Sequence, residues 1–415
     1  MEGSTMPTAT RPHHVVAASF LGWMLDAFDF FIMVFVLRNI AETFATSITA
    51  VTWAITLTLA ARPIGAWIFG RAADRFGRRP ALMVNVLCYS MLELATAFSP
   101  NLAVFIILRA LYGVAMGGEW GVGASLTMES IPAHWRGPVS GLLQAGYPTG
   151  YLIASIVYWV LFPYIGWRGM FVVGAAPALL VLYIRRAVPE SPDWTARAAA
   201  GPRPSLWSVL RGHAWLTVYV VALMTAFNFF SHGTQDLYPT FLQEQHHLDR
   251  AAVSSIAIAY NIGAILGGLG FGTLSQRIGR RPAIVIAAVL ALPVIPFWAF
   301  SSSVVALGAG AFFMQVFVQG AWGVIPAHLN ELSPPDIRGT FPGVTYQLGN
   351  LLAAANATIQ SGIAAALGGL YSWPLAGVAA VVAVAIALLV GFGREARHVR
   401  MGGEAVLSGR TLFAE

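Results

Sequence analysis

Ser231, His232 and Asp236 fall within one short polar stretch, NFFSHGTQDLYPT, Asn228 to Thr240, in an otherwise apolar part of the chain. They are the residue types of a hydrolytic triad. Adjacent Ser and His residues on one helix, however, point about 100 degrees apart, and no turn follows that could form an oxyanion hole. Hydrolysis is therefore set aside, and two other chemistries remain. Neutral donors such as Asn228 and Gln235 can hold a small anion. A carboxylate next to an imidazole can take up and release a proton near physiological pH.

If the stretch is one helix, Asn228, His232, Asp236 and Thr240 stand at i, i+4, i+8 and i+12, with Gln235 beside them. They form a polar stripe suited to a cleft wall, and Phe227, Phe229 and Phe230 cover the other faces. Pro239 and Gly233 predict a bend nearby. Asp236, with His232 one turn away, is the first candidate for proton exchange, because desolvation and a neighbouring cation both act on its proton affinity. Asp26 and Asp29, in WMLDAFDFF, are rivals for that role, and Glu119 in GGEWG is a weaker one. An anion needs a cation: Arg62 and Arg109 are the two arginines well inside apolar runs, and Arg62 is the candidate carboxylate ligand. Arg109 suits packing or a pair with an acid. Tyr147, Gln144, Gln347 and Asn350 offer further neutral donors. His13-His14 and His246-His247 lie at run ends and read as solvated rather than metal-binding.

These residues sit in a 415-residue chain that is 57% apolar and 10% charged, with a mean hydropathy of +0.69. Such a balance is that of a polytopic membrane protein. About 20 apolar residues cross a bilayer. Twelve such runs can be placed, centred near Asp26, Leu59, Tyr89, Val114, Leu152, Ala176, Ala226, Gly263, Leu290, Gln315, Leu352 and Val382. The expected fold is an all-α membrane protein of two six-helix bundles. All 24 basic residues are arginine, clustered between the runs rather than on one amphipathic face, which argues against nucleic acid as a partner. Cys88 is the single cysteine, so no intramolecular disulfide forms. The N-terminal sequence lacks a cleavage signal, and the first run is expected to be an uncleaved helix.

The arginines also give an orientation. Arg71, Arg75, Arg78, Arg79, Arg136, Arg185, Arg186, Arg197, Arg203, Arg211, Arg277, Arg280, Arg281, Arg338 and the C-terminal arginines fall on one side, against Arg38, Arg168 and Arg250 on the other. The positive-inside rule places both termini in the cytoplasm.

At an offset of 202 residues, GRAADRFGRRPA (Gly70 to Ala81) meets GTLSQRIGRRPA (Gly272 to Ala283), and EWGVG (Glu119 to Gly123) meets AWGVI (Ala321 to Ile325). Glu129, Arg136, Gly137 and Gly141 likewise meet Glu331, Arg338, Gly339 and Gly343. Two same-direction halves imply a pseudo-twofold axis along the membrane normal. The expected units are an N-terminal bundle over 1–186, a Pro-rich basic linker over 187–212, a C-terminal bundle over 213–393 and a cytoplasmic tail over 394–415.

The stretch Gly70-Arg-Ala-Ala-Asp74-Arg75-Phe-Gly77-Arg78-Arg79 resembles the loop signature of the major facilitator superfamily, and Arg109 with Gly113, Gly117 and Gly118 is similar to its fourth-helix signature. The resemblance implies two bundles rocking about a central cleft. It also implies a gate made by Asp74, Arg75, Arg78, Arg136, Arg277 and Arg338, with Gln276 in place of an acid weakening the second clamp. Asn228-x-x-Ser231-His232-x-Thr234-Gln235-Asp236-x-x-x-Thr240 matches the signature of Jen-type lactate permeases, in the sialate:proton symporter branch. Arg62 in LAARPIGAWIFG and YQLGN (Tyr346 to Asn350) resemble shorter motifs of that branch. The implied activity is proton-coupled symport of lactate or pyruvate across a bacterial-type inner membrane, by a protein functional as a monomer. No cofactor is implied beyond the proton gradient. A larger sialic or aromatic acid as substrate, or export of the same acids, is the alternative.

Overall fold

The computed structural model describes residues 12–199, 206–397, 399 and 401. Of the expected linker, 200–205 lie outside the described residues, as do 398, 400 and 402–415 of the expected tail. The described chain is helical throughout, with short turns. The first half contains α1 (Pro12–Thr43), α2 (Ile48–Phe76), α3 (Arg78–Ala97), α4 (Leu102–Met116), α5 (Glu119–Ser130), α6 (Arg136–Gly174) and α7 (Ala178–Ala187). Two short helices follow, α8 (Pro192–Ala199) and α9 (Leu206–Gly212). The second half contains α10 (Ala214–Gln235), α11 (Tyr238–Glu244), α12 (Arg250–Ile278), α13 (Arg280–Ala291), α14 (Ile295–Ala299), α15 (Val304–Leu332), α16 (Phe341–Ala353), α17 (Asn356–Ala366) and α18 (Ser372–Gly391).

Among the described residues, ten helical stretches are long and apolar enough to cross a membrane. One of them, Ala133–Ala187, runs for 55 residues, far more than one crossing requires. It turns at Gly166, whose φ of 60° and ψ of −174° lie outside the helical region, a conformation glycine tolerates without steric cost. The expected eleventh run is split into α16 and α17 and is not among the ten. Helix starts follow local chemistry: the side chains of Ser47, Asn101, Asp249 and Ser303 accept hydrogen bonds from the backbone N–H three residues on.

Packing repeats between the halves. α2 lies along α4 as α12 lies along α15, and α1 lies along α6 as α10 lies along α16. The halves meet where α6 crosses α12 and where α2 and α5 meet α16. Both crossings are built on glycine. A Cβ on Gly121 would stand 2.7 Å from the Cα of Gly343, and a Cβ on Gly141 would overlap the carbonyl oxygen of Gly268. Backbone therefore rests on backbone, the close approach that small residues allow between membrane helices.

Candidate functional site

The polar stretch is not one helix. α10 ends at Gln235, Asp236 caps it with its N–H bonded to the His232 carbonyl, and α11 restarts at Tyr238 with Pro239 in its first turn. Proline lacks the N–H that a continuous helix needs, and the first turn is where that loss is tolerated. Thr240 thus lies past the break and does not continue the stripe. The break leaves His232 and Asp236 together: the ring Nδ1 lies 3.2 Å from an Asp236 carboxylate oxygen, and the two side chains are 36% and 41% exposed in the middle of a helical membrane bundle. Asn350 of α16 lies beside His232.

Facing them from the first half is Arg62, 4% exposed on α2. One of its Nη atoms lies 2.7 Å from the Met116 sulfur, its Nε has no partner, and its guanidinium sits 5.5 Å from the Phe30 ring centre. Among the described residues it forms no ion pair. Arg78, Arg109, Arg280 and Arg338 are as buried and each meets a carboxylate. Arg62 acts electrostatically on His232, Tyr147, Tyr346 and Asp26, so the two halves converge on one place. Gln347 is buried there with an unpartnered side-chain oxygen, and so is Gln144.

Aromatic rings enclose this place, a feature that inspection of the polar motifs passed over. Tyr147 packs on Trp23 and Phe31 with ring centres 5.4 Å apart, and Tyr346 packs on Trp120 at 4.8 Å and Trp322 at 5.6 Å. Trp120 and Trp322 are repeat partners, visible in the aligned EWGVG and AWGVI segments.

Other members of the stretch are engaged within the second half. Asn228 is buried and donates to the Met224 carbonyl. Gln235 donates to Gln315 of α15 at 2.8 Å, and Ser231 accepts from Gln319. The helix α1 acids do not line the exposed cleft. Asp26 and Asp29 are 1% and 0% exposed, and neither carboxylate has a hydrogen-bond partner. Asp29 lies beside Glu93 next to Gly174, and Glu93 pairs with Arg109 at 2.5 Å. Glu119, at the first position of α5, is tucked against Gly22 and is likewise unpartnered. A buried polar group without a partner is uncommon in a folded protein and is characteristic of functional sites. His14 is bonded to Tyr183 at 2.7 Å rather than solvated.

The face that carries both ends of the described chain is closed. An Asp74 carboxylate oxygen accepts the Gly339 N–H across the halves at 2.9 Å, and the other accepts the Thr340 hydroxyl. Arg78 bridges Asp74 and Glu129, each at 2.9 Å. In the second half the Gln276 oxygen accepts the Gly137 N–H at 3.0 Å, and Arg280 bridges Gln276 and Glu331. The glutamine makes the same inter-half bond as its aspartate counterpart. Arg338 reaches Asp193 at 2.6 Å and Arg136 the Val399 carbonyl at 2.8 Å. Arg75 and Arg277 are exposed, and among the described residues neither side chain bonds across the halves: the Arg75 side chain lies by the Phe76 ring, and for Arg277 the bond seen is the one its carbonyl accepts from Arg397.

Two pseudo-equivalent helical halves, a solvent-reachable polar cleft between them and a closed opposite face define a membrane transporter rather than an enzyme. The sequence profile of the Major Facilitator Superfamily matches residues 19–355 and 237–408, and the chain belongs to that family. It is a multi-pass integral membrane protein. It is 31% identical over 372 residues to a carboxylic acid transporter protein homolog of Saccharomyces cerevisiae; the match takes in 83% of this chain and 60% of the yeast protein. It is 27% identical to the sialic acid transporter NanX of Escherichia coli, over 83% of this chain and 86% of the relative. The solved structure of the proton:xylose symporter XylE matches with a TM-score of 0.74 and 18% identity, covering 97% of this chain and 100% of that one, a likeness of fold.

Proposed function

We propose that the protein is a proton-coupled symporter of short monocarboxylates such as lactate and pyruvate. The observation that carries this reading is Arg62, a buried guanidinium that forms no ion pair among the described residues and whose close neighbour is the Met116 sulfur. An unpaired cation in a low-dielectric site is costly, and an arriving carboxylate relieves that cost through a bidentate pair. Asn350, Gln347 and Tyr147 supply neutral donors around it, and the crowded aromatic rings favour a small acid. The carboxylic acid transporter homolog of yeast supports the substrate class.

The proton is carried by Asp236 with His232, or by Asp26 or Asp29. One proton with one monoanion makes the loaded site electroneutral, which lowers the barrier to closing it off from water. Twelve spans form two bundles, 1–186 and 213–393, joined by the 187–212 linker and followed by the 394–415 tail. The arginine bias puts the closed face in the cytoplasm of a bacterial-type inner membrane, so the conformation described is open to the outside. In each cycle the clamps built on Asp74 and Gln276 release, and the bundles rock about the glycine crossings.

The test is uptake of radiolabelled L-lactate by purified protein in liposomes under an inward proton gradient. Accumulation that a protonophore abolishes supports the reading, and competition by pyruvate and acetate ranks the substrates. No lactate uptake in tight, correctly reconstituted vesicles would overturn it. Uptake of sialic or aromatic acids instead would favour the larger substrates, in line with the relation to NanX.

A further inference from the structure

The turn that carries His232 and Asp236 is the last of α10, and its own sequence makes it weak. Gly233 lies inside it, and Pro239 stops the helix from running on. A helix leaves its final carbonyls without partners of its own. Here the His232 carbonyl accepts the Asp236 N–H, and the Gly233 carbonyl is met from another helix: the Gln360 side chain of α17 donates to it at 3.1 Å. Gln360 is fully buried, and its amide also donates to the Asn356 side-chain oxygen, one turn earlier on α17, at 3.3 Å. The approach depends on glycine, since a Cβ on Gly233 would stand 2.7 Å from Val378 of α18 and 3.2 Å from the Gln360 nitrogen. The Asn356 amide nitrogen and the Gln360 oxygen are themselves buried without a hydrogen-bond partner among the described residues. Packing alone would favour apolar side chains at both positions.

The first half has no such contact. At the 202-residue offset Gly233 meets Phe31, Asn356 meets Ala154 and Gln360 meets Tyr158, and none of these carries an amide. Tyr158 stacks on Phe35 with ring centres 5.4 Å apart, and α1 runs unbroken from Pro12 to Thr43. The two amides therefore stand in the half whose helix breaks, behind the turn that presents the titratable pair.

We infer that Gln360, oriented by Asn356, is a positioning residue for the His232–Asp236 pair. It acts through the Gly233 carbonyl, capping from the side the turn in which the pair stands at i and i+4. Without that bond the last turn of α10 frays, and the two side chains lose their register. Arg62 of α2, Tyr147 of α6, Tyr260 of α12 and Asn350 of α16 face the pair and set its electrostatic surroundings, whereas α17 sets its geometry. The inference rests on reading the pair as the proton-exchanging groups.

The test reads the pair itself and needs no substrate, so its outcome stands apart from which acid is carried. Nuclear magnetic resonance follows the histidine ring nitrogens of labelled full-length protein as pH is varied, with His232 assigned by the signal lost in His232→Gln. In the wild-type background Asp236→Asn changes the proton affinity of the His232 ring, and the size of that change measures the pairing. In the Gln360→Leu background the same change is expected to shrink by about threefold or more. An undiminished change there would overturn the positioning role. Should Gln360→Leu not fold, Asn356→Ala leaves the Gln360 donor in place but unguided and gives the same reading at smaller amplitude; an undiminished change overturns the role as well. If Asp236→Asn leaves the ring unaffected in the wild-type background, the pairing itself is refuted and the inference falls with it.

Discussion

The two halves agree at the closed face and disagree inside the membrane. At the gate, Arg78, Glu129 and Arg136 of the first half meet Arg280, Glu331 and Arg338 of the second, charge for charge. Deeper in, the same offset sets Asp26 against Asn228, Asp29 against Ser231, Arg62 against Ala264, Arg109 against Ala311 and Glu119 against Ala321. Among the described residues, the first half holds buried ionisable groups there; the second holds mostly neutral ones, apart from the buried His328 and the exposed His232–Asp236 pair. The gate must close from both sides, so these charges are kept in duplicate, with Asp74 and its neutral counterpart Gln276 the exception. A bound anion and a proton need one site each, and duplication there would leave a second buried charge with nothing to compensate it.

The sharpest way to break this comparison is at Arg62. Arg62→Ala removes a buried guanidinium that forms no ion pair among the described residues and is expected to weaken lactate binding by about a hundredfold or more, with Arg62→Lys intermediate, read by equilibrium binding to the purified protein. Retained affinity would move the anion site into the neutral half.

Next in size is the proton. Asp236→Asn is expected to abolish gradient-driven accumulation while sparing lactate exchange, and to flatten the decline of uptake as external pH rises, since protonation is then no longer required. The same assays on Asp26→Asn and Asp29→Asn decide which half couples: accumulation lost there and kept in Asp236→Asn assigns the proton to the first half.

The clamps come third. Asp74→Ala strands the Gly339 N–H, the Thr340 hydroxyl and part of the Arg78 charge, and should destabilise the closed face by about 2–4 kcal/mol. Gln276→Ala removes neutral bonds and should cost about 1 kcal/mol. The distance between spin labels at His134→Cys and Asp336→Cys, exposed positions of opposite halves on the closed face, in Cys88→Ser protein measures both, and equal effects would mean that the Asp74 charge contributes nothing beyond its hydrogen bonds. Smallest of all, Arg75→Ala and Arg277→Ala should change transport by less than about twofold, because solvated charges on one half add little.

Much of this was legible in the chain itself. The 202-residue offset, the loop signature and the arginine clusters anticipate the helical halves and their closed face. Spacing along an ideal helix assigned Thr240 to the stripe, but Pro239 breaks the helix, and α15 offers Gln315 and Gln319 as partners for Gln235 and Ser231. Type and spacing cannot say whether a donor is already engaged by a neighbour distant in sequence. Gln276 shows the reverse case: read as a lost charge, it keeps the acceptor oxygen that the inter-half bond uses. Trp23 and Trp120 were hidden for a simpler reason, since aromatic residues in a membrane protein are too common to mark a site.

The backbone contacts at Gly121–Gly343 and Gly141–Gly268 bear on how fast the machine can turn. A joint with no side chains in it has no rotamers to reset and no interlocked ridges to lift past one another, so tilting one bundle over the other meets little friction at the axle. Turnover is then governed by what must be unfastened at the rim and by what the anion and proton do in the middle, and a single added methyl group at either crossing would act as grit in the bearing.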